Sequence, residues 1–162
     1  MALKPDRSPY SLILEKEFLL ANSTTYYLDQ AVVFSAGGIV TPAGAAATNI
    51  LGVIVGFTGQ RGEVVEQGNL SDNVTTAADN TTTKKYWARV AMLGDDVTLE
   101  ADFTASIASH DVGDTYSLAA GGRTVDTSTR VAPGGANYPK EVVLVEKVSD
   151  TVGKVKIRSR LI

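Results

Sequence analysis

Between residues 97 and 107 the chain alternates without a break. Val97, Leu99, Ala101, Phe103, Ala105 and Ile107 are apolar, and Thr98, Glu100, Asp102, Thr104 and Ser106 are polar. Side chains on a strand point to opposite faces with period 2, so this run predicts a strand with one buried face and one wet face. Leu99, Phe103 and Ile107 also recur four apart, which is helical spacing. A helix, however, would turn Val97 and Ala101 away from that stripe, and Thr and Val favour strands. Just before it, Tyr86-Trp87-Ala88-Arg89-Val90-Ala91-Met92-Leu93 is apolar with one charge, the pattern of a more central strand. Gly94-Asp95-Asp96 joins the two runs, and a three-residue connection with Gly predicts a hairpin with a bulge.

The same pattern extends over the rest of the chain. Residues 10–20 predict a strand or a strand pair, Thr25-Tyr26-Tyr27-Leu28 and Ala31-Val32-Val33-Phe34 predict short strands in preference to one short helix up to Phe34, and Ser35-Ala36-Gly37-Gly38 predicts a turn. The small-residue run at 41–49 permits close backbone approach, suited either to packing at a subunit interface or to a plain surface loop. Ile50-Leu51-Gly52-Val53-Ile54-Val55-Gly56-Phe57 is almost wholly apolar, which predicts a strand buried on both faces, with Gly52 and Gly56 marking a bend or bulge. A short return strand is expected at 62–65. The Thr/Asn-rich residues 69–83 have few apolar positions and predict a long loop, mobile or held from outside. Thr115-Tyr116-Ser117-Leu118, a Gly121-Gly122 turn and residues 123–125 form a second hairpin signal, followed by a polar loop from Asp126. A third hairpin pairs residues 141–148 with 154–162.

These elements predict an all-β class: a small single-domain β-barrel over residues 10–162, with long polar loops. Residues 1–9, with two prolines and no periodicity, predict an extended N-terminal arm, either a frayed terminus or a tether that orders on a partner. The 162 residues suffice for one domain with a core of its own. A net charge of −3 argues against nucleic acid as the main partner. No cysteine is present, so disulfides and thiolate metal sites are excluded. The opening residues lack signal-peptide order and no apolar run reaches membrane-spanning length, so a soluble chain without a membrane partner is expected. The one clustered charge is on the final strand, where Lys154, Lys156, Arg158 and Arg160 share a face opposite Val155, Ile157 and Leu161. That face is either protection of an exposed sheet edge or a docking patch for an acidic partner.

Reactive chemistry is not evident. His110 is the single histidine, flanked by Ser109 and Asp111, but sequence neighbours do not make a triad and no Gly-x-Ser-x-Gly elbow occurs. The expectation is a solvated loop histidine. One histidine cannot supply a zinc pair, the carboxylates fit turns and wet strand faces, and the glycine pairs lack phosphate-loop context. No catalytic residue, metal or cofactor is expected.

Val112-Gly113-Asp114-Thr115-Tyr116-Ser117-Leu118 followed by Gly121-Gly122-Arg123-Thr124-Val125, together with Gly52-Val53-Ile54-Val55-Gly56 and the residue 87–93 strand, resembles a known group. It is similar to the capsid decoration (cement) proteins of tailed bacteriophages, the group of the phage lambda head-decoration protein and related β-tulip folds. The similarity spreads over roughly residues 30–130. It implies a homotrimer on the outside of the virion shell, made in the host cytoplasm, with the major capsid protein as partner. In such a protein Leu3, Lys4, Pro5, Arg7 and Tyr10 would occupy the capsid-contacting arm, and loss of residues 1–9 would abolish attachment while sparing the fold. A carbohydrate- or receptor-binding β module of a fibre or adhesin is the alternative, with Trp87, Tyr26, Tyr27, Tyr116 and Tyr138 as candidate aromatic platforms. Another head or tail structural protein is a further one.

Overall fold

The computed structural model describes residues 3–5, 14–59, 73–94 and 97–158. In chain order the strands are β1 (Leu3–Pro5), β2 (Glu15–Leu20), β3 (Thr25–Tyr27), β4 (Ala31–Phe34), β5 (Ile39–Pro42), β6 (Ile50–Gly59), β7 (Asn73–Thr75), β8 (Tyr86–Met92), β9 (Leu99–Asp102), β10 (Thr115–Leu118), β11 (Val125–Val131), β12 (Val142–Lys147) and β13 (Val152–Ile157). Helix among these residues is confined to one turn of 3₁₀ at Ala36–Gly38 and one of α-helix, α1 (Asn80–Thr83). Five strands close a barrel in the order β2-β5-β4-β6-β8, and β1-β9-β13-β12-β10-β11 form a second sheet. That sheet curls on itself, because Phe103, just past β9, bridges to Val125 at the start of β11. The protein is therefore all-β, as the alternation predicts.

Strand β6 explains why its sequence is apolar throughout. Leu51, Ile54 and Phe57 enter the barrel core, while Ile50 and Val53 belong to the core of the curled sheet. Ala31 and Val32 on β4 divide between the two cores in the same way. The glycines of β6 permit its contacts. A Cβ on Gly52 would lie 2.2 Å from the Ala91 carbonyl oxygen, and the β6–β8 register shifts between Ile54 and Gly56. This is the bulge that the glycines predict.

The hairpin predicted across Gly94 does not form. Both edges of β8 are already paired, to β2 and β6, so the chain leaves the barrel and β9 joins the other sheet between β1 and β13. The alternating run holds as a burial pattern nonetheless: Val97, Leu99, Ala101, Phe103 and Ile107 are buried, and Ala105 is exposed because regular strand ends at Asp102. The other two hairpins, β10–β11 and β12–β13, are present. Strand β11 continues through the expected polar loop to Val131, with a bulge at residues 127–130 between the Thr115–Val131 and Ser117–Asp126 pairs.

The Thr/Asn-rich tract is also corrected where it is described. It is held from within: Val74 packs in the barrel core on the β3–β7 pair, and the buried Asn80 amide donates to the carbonyls of Leu20 and Tyr86 while its oxygen accepts the Tyr86 N–H. Thr76 donates to the Ala21 carbonyl at 2.6 Å. Most of the small-residue run at 41–49 is exposed, and it is tied to the rest of the chain at Ala43 and Ala46. Ala43 is buried, and Ala46 N–H donates to the Leu118 carbonyl of the curled sheet. Opposite it, the Gly121-Gly122 turn plugs into the barrel: Ala31 N–H donates to Gly122 and the Gln30 amide to Gly121, and Arg123 stacks over the Tyr27 ring at 4.2 Å. The return strand expected at 62–65 lies outside the described residues.

Candidate docking surface and the His110 cluster

The expected N-terminal arm is corrected at Leu3–Pro5. These residues form an edge strand paired with Leu99–Ala101, and Leu3 is fully buried in the curled-sheet core. Leu3 N–H also donates to the Asp29 carbonyl on the barrel side. The strand thus ties the two sheets together, because a buried leucine and a satisfied ladder outweigh the freedom of three residues. Leu3 is a core residue of its own chain, and Lys4 and Pro5 are placed by register opposite Glu100 and Leu99. Arg7 and Tyr10 lie outside the described residues.

The cationic face on β13 is present but differently situated. β13 is interior, between β9 and β12, so its charges do not protect a sheet edge. Register sets Lys4, Glu100, Lys154 and Glu146 in one row of alternating sign across four strands. Within that row Lys154 Nζ is 3.1 Å from a Glu146 carboxylate oxygen. Lys156 and Arg158, beyond the row, are exposed, and no ion pair to either is formed among the described residues. Arg160 lies outside the described residues.

His110 is not the solvated loop histidine expected. Its half-buried ring lies nearly parallel to the buried Tyr116 ring, and its Nδ1 is 2.9 Å from the Tyr116 hydroxyl. The loop around it is pinned by a buried carboxylate: Asp114 Oδ2 accepts the Asp111 N–H at 2.9 Å and Arg130 Nε at 2.6 Å. Arg130 comes from the bulged part of β11, so the bulge supplies the cation that holds Asp114. Asp111, largely exposed, stands 3.7 Å from the same guanidinium. Burial depresses the His110 pKa, reinforced by Arg130 and Lys147 and opposed by Asp114 and Asp111. Burial and the Asp114 carboxylate push Tyr116 up to about 12. The ring of His110 thus bonds a phenol, while the neighbouring carboxylates hold Arg130 and backbone amides. Sequence reasoning missed Tyr116 as the partner of the ring and Arg130 as the holder of Asp114, since these come from β10 and β11.

Among the described residues no group of three or more His, Asp or Glu side chains is placed to hold a metal ion, and no helix is long and apolar enough to cross a membrane. Of the aromatic candidates for a sugar platform, Tyr26 and Tyr116 are buried and Trp87 is half-buried with its indole N–H on the Lys84 carbonyl. Tyr27 is covered by Arg123, which leaves Tyr138 exposed at 38%. Fold and surface together define a mostly β protein, a closed five-strand barrel joined to a curled sheet, with an exposed cationic pair on that sheet. In comparison with known proteins, the chain matches no protein-family model and no curated protein.

Proposed function

We propose that this chain is a structural virion protein that binds the outside of a phage capsid as a homotrimer and stabilises it without catalysis. The observation that carries the reading is the exposed pair Lys156, on the interior strand β13, and Arg158, one residue past its end, neither in an ion pair among the described residues while Lys154 is matched by Glu146. Charge left unmatched on a fixed surface favours an acidic partner surface, and a repeating shell multiplies a weak contact by avidity. The resemblance to decoration proteins across the barrel and the β10–β11 hairpin supports the same reading. Residues 1–9 no longer supply the whole tether, because Leu3 is committed to the fold. The docking role therefore rests on the β13 face.

The test is co-sedimentation with undecorated shells, alongside light scattering for the oligomeric state. The wild-type chain is expected to run as a trimer and to pellet with shells. Lys156→Glu with Arg158→Glu is expected to keep the dichroism spectrum and melting temperature while weakening attachment at least about tenfold, the loss of roughly 1.4 kcal/mol. Attachment unchanged in that variant overturns the docking face, and a wild-type chain that never pellets overturns the capsid reading. A glycan-binding module would instead show loss of glycan-array binding in Tyr138→Ala.

A further inference from the structure

The loop at residues 108–114 is held by a small set of backbone contacts, by Lys147 and by one imidazole. His110 N–H donates to the Ile107 carbonyl, Gly113 N–H to Leu144 and Leu144 N–H to Asp114. Lys147 Nζ on β12 donates to the carbonyls of Ala108 and His110 at 3.1 and 2.9 Å. The ring itself reaches β10 through Tyr116, which packs edge-on against Phe103 at 5.2 Å. Phe103 is the residue whose bridge to Val125 curls the sheet. Loop, hydroxyl, ring and sheet closure are therefore one contiguous contact path.

We propose that His110 is an acid-operated latch, and that its protonation releases residues 108–114 from β10 and β12 while the barrel stays folded. The Tyr116 hydroxyl has no other hydrogen-bond partner among the described residues, so the neutral ring with Nδ1 as acceptor satisfies its donor. A proton on Nδ1 turns that acceptor into a donor. The phenol oxygen then accepts from Nδ1–H, but its own O–H is left without an acceptor among the described residues, and an unsatisfied buried donor is costly. The new positive charge also faces Arg130 from β11 and Lys147 from β12, with Asp114 and Asp111 on its own loop opposing them. Asp114 Oδ2 is engaged by Arg130 and the Asp111 amide, while its buried Oδ1 has no hydrogen-bond partner among the described residues, and its attraction for the imidazolium is smaller than the repulsion from Arg130. Burial and these cations place the ring's pKa in the closed loop below the ordinary 6.5. Once the loop opens, the ring regains the ordinary value. The closed loop therefore binds the proton less tightly, and opening becomes more favourable as pH falls through that interval.

The test is amide hydrogen exchange with NMR titration of the whole chain, where one histidine gives one imidazole signal. Protection factors, corrected for the intrinsic rate, are followed from about pH 7.5 to about pH 5. Exchange at Gly113 and Leu144 is expected to accelerate by up to about tenfold per pH unit between the two pKa values. Val53 and Val90, in the barrel, are expected to hold their protection. In His110→Gln, which cannot titrate, the acid response of Gly113 and Leu144 is expected to disappear. Equal pH dependence in that variant would take the effect away from His110 and overturn the latch. Wild-type protection that stays flat, or that falls equally in the barrel, overturns it too, without reference to any variant.

Discussion

At Gly52 the space available for a single atom decides whether the barrel closes. A side chain there would meet the Ala91 carbonyl at 2.2 Å and Val90 Cγ1 at 2.6 Å, both on the facing strand. Backbone cannot yield as a flexible side chain does, so Gly52→Ala is expected to cost about 3 kcal/mol or more. Gly44 has nothing within 4 Å of the same position, and Gly44→Ala is expected to fall within about 0.5 kcal/mol of the wild type. Urea unfolding of the two variants checks the contrast, and equal stabilities would refute it. Gly56 differs again, because its missing side chain makes room for the Arg89 guanidinium, which also approaches Glu15. Gly52 and Gly56 are legible in the sequence as interruptions of an apolar run. Their partners are not, since Ala91 and Arg89 lie more than thirty positions away.

At the scale of elements, a strand of three residues ties the two sheets together. β1 contributes three residues, yet Leu3 enters the core and its N–H crosses to the barrel. Leu3→Ala is expected to lower stability by about 2–5 kcal/mol, the range for a buried leucine replaced by alanine. Removal of residues 1–5 is expected to destabilise at least as much, which denaturant midpoints would show. A truncated chain as stable as the full one would place β1 outside the fold. The strand was hidden in the sequence because Leu-Lys-Pro is too short to show a period and carries a proline, a residue that sheets tolerate at edges. β6 was legible for the opposite reason: ten residues buried nearly throughout leave a continuous apolar record. The Thr/Asn tract misled because its burial is polar. Asn80 and Thr76 are fixed by hydrogen bonds to distant carbonyls, and composition does not distinguish a bonded asparagine from a solvated one.

For the molecule as a whole, stability is expected to decline toward both ends of the pH scale. The His110 pKa is lowered in the fold, so below its ordinary 6.5 the unfolded chain takes up the proton more readily. Stability is then lost as pH falls from that value to the folded one. At the alkaline end Tyr116 is raised from 10.0 to about 12, and Tyr26 is raised by burial in the same direction. The unfolded phenols ionise first there, so stability falls as pH rises from 10 toward 12. Melting temperature measured across pH tests both limbs: His110→Gln is expected to flatten the histidine contribution on the acid side, and Tyr116→Phe to reduce the alkaline loss. A profile unchanged by either substitution would detach the pH dependence from this cluster.

By itself the order of apolar and polar residues determined the class of fold, the hairpins at the Gly121-Gly122 and Ser149–Gly153 turns, and the doubly buried β6. Those features follow from side-chain alternation and turn chemistry, which act between near neighbours. Only the tertiary structure decided that β8 and β9 part company, that β13 is interior, and that Leu3 joins the core. Each of these depends on which strand edges are still open when distant segments meet. The His110 cluster belongs with them, since its ring, phenol, carboxylate and guanidinium come from a loop and two strands that only the curled sheet brings together.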